Sequence, residues 1–170
     1  MTEYIGLLED TLVGFLLPAW TRSRKRRAIQ SAKFYFFDPG VTYTLAGTSA
    51  LERNSDLYGK SFEQFIGMEL RAWLSYRRHK IPLTYWRSIN GDEVDFLIGE
   101  HIAIEVKASN KVSRRDFKGL DRLAEEGVFQ RFILVSQDPI EICEGSRHAM
   151  PWQSFLNKLW SGCFDQFFVD

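Results

Sequence analysis

The 170-residue chain has few cysteines and lacks a long apolar run. Cys143 and Cys163 form no Cys-x-x-Cys pair, and the three histidines lack zinc-site spacing. We therefore expect free thiols in a reducing cytoplasm. No apolar stretch approaches the roughly 20 residues of a membrane helix. Acidic Glu3, Glu9 and Asp10 argue against a signal peptide. These features predict a cytoplasmic protein that does not associate with membranes.

An excess of charge is also missing, since 22 Lys and Arg residues face 22 Asp and Glu residues. Any nucleic-acid surface must then be a local patch. A Walker A motif is missing as well. Gly59-Lys60-Ser61 resembles its end, but Asn54 stands where its first glycine belongs, and no predicted strand leads into it. The sequence therefore shows no evident ATPase machinery.

What the sequence does contain is enough apolar material for a folded domain, at 45% hydrophobic and 15% aromatic residues. Two short apolar runs, Val94–Ile98 and Ile102–Val106, flank Gly99-Glu100. This pattern predicts a β-hairpin with a tight reversal.

The predicted hairpin carries an unusual set of ionisable residues. With strict alternation, Glu93, Asp95 and Leu97 share one face of the first strand, and Glu105 and Lys107 share one face of the second. An acid in the middle of a strand destabilises the fold unless it is paired or binds a cation. Two carboxylates beside an ammonium suit a hard divalent cation next to a phosphate. A salt-bridged cluster without a ligand is the structural alternative.

The spacing of these residues resembles a known signature. Asp95, nine intervening residues and then Glu105-Val106-Lys107 are similar to the Asp-x(n)-Glu-x-Lys pattern of the PD-(D/E)xK nuclease superfamily. A wider series resembles the nuclease-like C-terminal domain that follows an AAA-type ATPase module in many prokaryotic proteins, and it covers about the whole chain. In order, its segments are Lys33–Gly40, Gly59–Glu63, Tyr85–Arg87, Gly91–Phe96, Ile104–Lys107 and Pro151–Trp160.

The resemblance implies a metal-dependent DNA endonuclease that leaves a 5′-phosphate and a 3′-hydroxyl. It implies Mg²⁺ or Mn²⁺ as cofactor, bound by Asp95, Glu105 and the Val106 carbonyl. Glu63 adds a ligand or holds a water, and Lys107 orients the attacking water and offsets charge on the phosphate. The implied catalytic residues are thus Glu63, Asp95, Glu105 and Lys107. Glu93 is either a further acidic ligand or the partner of an arginine.

The helix ligand requires a choice between two glutamates. Tyr58–His79 is the longest helical pattern, with apolar residues at three- and four-residue spacing. Both Glu63 and Glu69 lie on it. Gly59-x-x-x-Glu63 has the form seen in the superfamily, so Glu63 is preferred, and Glu69 stays open.

The predicted order is helix, three strands, helix, strand. The additional segments are a first strand over Pro82–Ile89, a helix over Ser113–Glu126, an apolar strand over Phe132–Ser136 and a closing helix over Met150–Trp160. This αβββαβ order predicts an α/β fold with a mixed central sheet flanked by helices, and it matches the restriction-endonuclease-like core that the resemblance implies.

The chain ahead of this core predicts a small accessory element. Residues 1–40 have a helix, a strand over Val13–Trp20, a basic tip and an extended run over Ala28–Phe37. That is the outline of the last part of a winged helix with its β-hairpin. The nuclease-like domain is then predicted over residues 41–170.

Two basic groups are candidates for binding nucleic acid. The tip is either a solvated hairpin end or a contact to DNA phosphates, which arginine clusters bind without reading sequence. Like charges in a row repel each other unless they are counter-charged, which favours the polyanion. Lys111 and Arg114 follow the Glu-x-Lys strand, close enough to grip a phosphate. The candidate residues are Arg24, Lys25, Arg26, Arg27, Lys111 and Arg114.

A second function remains open at this point. In the superfamily that this sequence resembles, many domains with this fold assist an ATPase partner, and some members are inactive. The alternative is therefore an inactive nuclease-fold module that binds DNA or protein for an AAA-type ATPase. Either function is compatible with a homo-oligomer.

Overall fold

The computed structural model describes residues 2–48, 52–53 and 55–168. The strands are β1 (Gly14–Leu17), β2 (Lys33–Phe36), β3 (Leu83–Arg87), β4 (Glu93–Ile98), β5 (Ile102–Lys107), β6 (Arg131–Ser136), β7 (Ile142–Glu144) and β8 (Arg147–Pro151). The α-helices are α1 (Thr2–Asp10), α2 (Pro39–Leu45), α3 (Asp56–Tyr76), α4 (Lys118–Ala124) and α5 (Trp152–Trp160). Short 3₁₀ turns cover Arg114–Phe117 and Asp165–Phe167.

Six strands form a mixed sheet in the order β3-β4-β5-β6-β8-β7. β3, β4 and β5 are antiparallel neighbours, whereas β5, β6 and β8 run parallel. The parallel β5–β6 pair needs a crossover, and α4 supplies it. The αβββαβ order and the mixed sheet flanked by helices are therefore confirmed, together with a separate antiparallel β1–β2 hairpin.

Helices cover both faces of the sheet. One buried cluster joins α3 and α5 to one face, and it includes Ile66, Phe96 and Phe155. A second cluster joins α4 to the other face, around Trp86 and Leu120. This burial on both sides explains why β5 and β6 read as nearly continuous apolar runs.

The central hairpin forms as predicted, but β4 does not alternate strictly. Trp86 pairs with Val94, and Thr84 pairs with Leu97, so β4 has one residue more than β3 between these pairs. This β-bulge puts both Val94 and Leu97 in the α4-side cluster. The prediction that Leu97 shares a face with Asp95 was therefore wrong, because a bulge depends on the partner strand.

The helices approach the sheet closely at two glycines. A Cβ on Gly67 of α3 would lie 2.7 Å from the ring of Phe96. A Cβ on Gly119 of α4 would lie 2.0 Å from the backbone oxygen of Glu93 and 3.5 Å from Oε2 of Glu105. The absence of a side chain at Gly119 thus sets the distance between α4 and the acidic part of the hairpin.

The basic segment lies in the long loop of the β1–β2 hairpin. The connection runs along β3: Trp20 donates its amide to the Tyr85 carbonyl at 2.7 Å, and Ile29 donates to the Arg87 carbonyl at 2.8 Å. Backbone pairing to β3 replaces part of the predicted β1–β2 ladder, so both strands are shorter than expected. Phe15 of β1 lies in the same buried cluster as α3.

The aromatic tail after α5 docks on the molecule. Phe164 is 7% exposed and lies in the α3-side cluster, and Phe167 and Phe168 pack against it. Within the described part of the chain, no helix has both the length and the apolar character needed to cross a bilayer.

Candidate functional site

Four carboxylates from three elements line one cavity of about 600 Å³. We call it the carboxylate cavity. Glu63 comes from α3, Glu93 and Asp95 from β4, and Glu105 from β5. Its basic lining residues are Lys33, Lys60, Arg87 and Lys107.

The cavity forms where β4 and β5 separate. Their ladder runs from Ile98–Ile102 to Phe96–Ile104. In this register the next pair is Asp95 and Glu105. There the ladder stops, and Oδ2 of Asp95 accepts a hydrogen bond from the Val106 amide at 2.8 Å. A side chain thus replaces a backbone acceptor, and it ties the Asp95 carboxylate to the start of the Glu-x-Lys segment.

Glu105 is only 6% exposed, and only one of its two carboxylate oxygens has a hydrogen-bond partner. Its Oε1 accepts a hydrogen bond from Nζ of Lys107 at 2.5 Å. Its Oε2 is buried without a hydrogen-bond partner. Burial raises the pKa of Glu105 to about 7, although Lys107 opposes this shift. A buried carboxylate oxygen without a partner is destabilising, so this atom is suited to a ligand.

The pKa of the buried Asp95 carboxyl group is also raised. Burial raises the pKa of Asp95 well above its usual value, and the Glu105 and Glu63 carboxylates raise it further. Lys33 and the Val106 amide act in the opposite direction. Since four basic side chains line the cavity beside its four carboxylates, burial is the main reason that the ionised form of Asp95 is disfavoured.

A lysine that we had not predicted lies among these carboxylates. Nζ of Lys33 is 3.0 Å from Oε1 of Glu63, 2.6 Å from Oε1 of Glu93 and 3.9 Å from Oδ1 of Asp95. Burial alone would lower the pKa of Lys33, but the Glu63, Asp95 and Glu93 carboxylates outweigh it and raise the pKa. Its ammonium also lies 4.9 Å from the centre of the Tyr85 ring.

Tyr35 completes this arrangement by donating its hydroxyl to Oε1 of Glu63. Burial, and then the Glu63 carboxylate, raise the pKa of Tyr35. Lys33 and Tyr35 are two residues apart on β2 and so share a face. The sequence indicated this position only through the two-residue spacing of Lys33 and Tyr35 within the family-like segment Lys33–Gly40. That spacing does not predict which residues the two side chains contact.

The structure separates the two glutamates of α3. Glu63 lines the carboxylate cavity, whereas Oε2 of Glu69 accepts a hydrogen bond from the Trp160 indole at 2.8 Å. Glu93 pairs with Lys33 and also lies 3.5 Å from Nε of Arg87. The arginine partner considered for Glu93 is therefore present beside a lysine.

The donor set fits a hard cation. All four acids offer carboxylate oxygens, which Mg²⁺ and Mn²⁺ prefer, and Oε2 of Glu105 lacks a partner. Among the described residues, the one group of three metal-ligand atoms within 4.8 Å of each other lies elsewhere and mixes a carboxylate, a thiol and an imidazole, at Glu141, Cys143 and His148. There Glu141 already binds Lys158 at 2.6 Å. The acids of the carboxylate cavity are spaced more widely, around Lys33.

The basic residues of the β1–β2 connection differ in their exposure and in their contacts within the protein. Arg26 donates to the Arg122 carbonyl at 2.9 Å and pairs with Glu125. The counter-charge that the row of basic residues requires is thus partly present. Arg24, Lys25 and Arg27 are exposed.

Neither Lys111 nor Arg114 lines the carboxylate cavity. Arg114 lines a separate cavity of about 360 Å³ beside Phe117 and Arg147. Lys111 is exposed on the connection that follows β5. Phosphate binding by either residue stays a prediction.

Comparison with known families gives two matches. Residues 58–155 match a family described as Domain of unknown function (DUF4143). Residues 1–52 match one described as Domain of unknown function (DUF8612). No curated protein and no solved structure matches the chain. The first match contains the four acids of the carboxylate cavity, and the second contains Lys33 and Tyr35.

Proposed function

Because the chain belongs to the DUF4143 family of domains of unknown function, whose match spans more than half of it, we propose a function from its site: a metal-dependent DNA endonuclease of the PD-(D/E)xK type. The observation that carries the proposal is the cavity that Glu105 lines together with Asp95, Glu63 and Lys107, where the buried Glu105 carboxylate has one oxygen without a hydrogen-bond partner. A fold gains little stability from such a cluster.

Mg²⁺ or Mn²⁺ is the proposed cofactor, held by Asp95, Glu105 and the Val106 carbonyl, with Glu63 as a further ligand. The Val106 amide points towards β4, and the carbonyl of a strand residue points to the same neighbour as its amide. This direction supports Val106 as a ligand. When bound, the ion polarises a phosphoryl oxygen and lowers the pKa of water.

The protein's own groups have separate roles in this proposal. Asp95 is held in place by the Val106 amide through Oδ2, and its other oxygen, Oδ1, lies 3.9 Å from Nζ of Lys33. Lys107 brings a positive charge beside Glu105, where it can orient water and offset charge on a phosphate. Glu63 contributes its carboxylate from the opposite wall.

The substrate is proposed to reach the site along the exposed basic residues Arg24, Lys25 and Arg27, which would contact backbone phosphates. The proposal also includes an AAA-type ATPase, as a partner or a fused module, because the family-like series implies one. Lys111 and Arg114 are proposed as additional phosphate contacts.

The test is a cleavage assay on linear, nicked and four-way DNA with Mg²⁺, Mn²⁺ or chelator. We expect cleavage that needs the metal, and a loss of at least about 100-fold for Asp95→Asn. Asn keeps an oxygen acceptor for the Val106 amide, so the fold should persist, which circular dichroism checks. Full cleavage by this variant would refute the assignment.

A matched pair on α3 serves as the control. Glu63→Gln should lower cleavage, whereas Glu69→Gln makes the same chemical change about 1.7 turns further along the helix and should not. Equal loss in both would mean that the assay reports helix stability and not the site.

One observation favours the alternative function, an inactive module that binds DNA or protein for an ATPase. Lys33 already neutralises part of the carboxylate cavity. Calorimetry with Mg²⁺ and Mn²⁺ separates the two. Failure of both ions to bind at millimolar concentration would favour the inactive module.

A further inference from the structure

We propose that Lys33 competes with the divalent cation for the carboxylate cavity, so that the metal-free protein is closed by its own ammonium group. This inference rests on the proposed metal site and adds its regulation. Lys33 lies outside the Asp-x(n)-Glu-x-Lys signature and belongs to the segment that matches a different family.

The position of Nζ is that of a bound cation. It contacts Glu63 and Glu93 and lies 3.9 Å from the free oxygen of Asp95. These carboxylates come from α3 and β4, so the lysine bridges two elements that a metal ion would also bridge. An ammonium and a divalent cation repel each other strongly at such short range. Both cannot occupy this position.

The side chain is able to leave. Lys33 lines the cavity, and its side chain is 23% exposed. A lysine has a flexible four-carbon stem, and its charge is a compact point that can move to water. The acids then lose their internal partner and can close around the ion.

The backbone that carries Lys33 is firmly held. Gln64, a buried residue of α3, donates its side-chain amide to the Phe36 carbonyl at 2.8 Å and accepts from the Thr42 hydroxyl at 3.0 Å. This clamp fixes β2 and α2 against α3. Entry of the ion therefore requires movement of the lysine side chain, while β2 stays in place.

The experiment measures Mn²⁺ affinity by calorimetry for the unchanged protein, Lys33→Met and Lys33→Arg. Lys33→Met keeps an apolar stem and removes the charge, so its affinity should rise at least about tenfold. Lys33→Arg keeps the charge and should bind like the unchanged protein. Lys60→Met is the matched control, because Lys60 lines the same cavity but makes no ion pair with its acids among the described residues.

A second readout needs no variant. Amine-reactive labelling followed by mass spectrometry should show a several-fold rise in Lys33 modification when Mn²⁺ is added, with no change at Lys60. This measurement decides the matter even if Lys33→Met does not fold.

The outcomes separate this inference from the proposed function. Mn²⁺ binding that is equally tight in the unchanged protein and Lys33→Met, with no change in labelling, would overturn the competition and leave the metal site. Absence of Mn²⁺ binding in every variant would overturn the proposed metal site, and the competition with it.

Discussion

At the level of single residues, the sequence located the acids but not their neighbours. Asp95, Glu105 and Lys107 were predicted because a short spacing brings them to one hairpin, and the structure places all three in the carboxylate cavity. Lys33 and Tyr35 reach the same cavity from β2, and nothing in local spacing specifies a contact between distant segments. Tertiary packing alone defines that half of the site.

The raised pKa of Glu105 gives a prediction about stability. Its pKa in the folded protein is about 7, above the usual 4.5, so folding favours the protonated form. The contribution of Glu105 to the free energy of unfolding is therefore fully present below about pH 4.5 and is lost as the pH rises through 7. We expect the free energy of unfolding of Glu105→Gln, relative to that of the unchanged protein, to rise by roughly 1–3 kcal/mol between pH 5 and pH 8. Urea unfolding in the presence of a chelator measures this difference.

Glu69→Gln is the comparison for this titration, because Glu69 is bound by an indole outside the cavity. A Glu105→Gln curve parallel to that of the unchanged protein would contradict the assignment of this carboxylate as the titrating group.

At the level of elements, helix and strand positions followed from periodicity, whereas register did not. The apolar spacing over Tyr58–His79 predicted α3, and the alternating runs predicted β4 and β5. The bulge in β4 and the shortening of β1 and β2 arise from pairing with β3. Such pairing depends on a partner far away in the sequence.

The close approach of α4 to β4 gives a prediction at this level. In Gly119→Ala the new Cβ would meet the Glu93 backbone oxygen, which has no flexible side chain to move aside. We expect a loss of roughly 1–3 kcal/mol in the free energy of unfolding, together with weaker Mn²⁺ binding, because Glu105 lies beside the same position.

Gly59→Ala provides the matched helix substitution. A Cβ at Gly59 meets no atom within 4 Å, so alanine should be neutral or stabilise α3 by up to about 1 kcal/mol. Calorimetric melting of both variants measures the difference. Equal melting temperatures would show that α4 can shift away from β4 at little cost.

At the level of the whole molecule, a net charge of zero means that the proposed DNA binding would depend on one surface. Replacing Arg24, Lys25 and Arg27 with Gln should weaken binding to a DNA duplex for every sequence. It should also reduce the slope of log K against log salt concentration by up to about three. Fluorescence anisotropy at several salt concentrations measures the slope.

Two controls define what this slope means. Arg78→Gln, just after the end of α3, removes an exposed charge that is not part of the basic segment and should leave the slope unchanged. Arg26→Gln should lower the free energy of unfolding in addition to weakening DNA binding. The reason is that Arg26 joins the connection between β1 and β2 to Glu125 and to the Arg122 carbonyl. An unchanged slope in the triple variant would mean that DNA does not bind here.

The connection that runs along β3 has a consequence for solubility. Its backbone bonds, such as Trp20 to Tyr85 and Ile29 to Arg87, occupy amide and carbonyl groups of an edge strand that would otherwise be open to other molecules. At the opposite edge, β7 is only three residues long. A fragment trimmed to residues 58–155 would lack this connection and expose the backbone groups of β3. Such an unpaired edge strand favours aggregation by intermolecular strand addition.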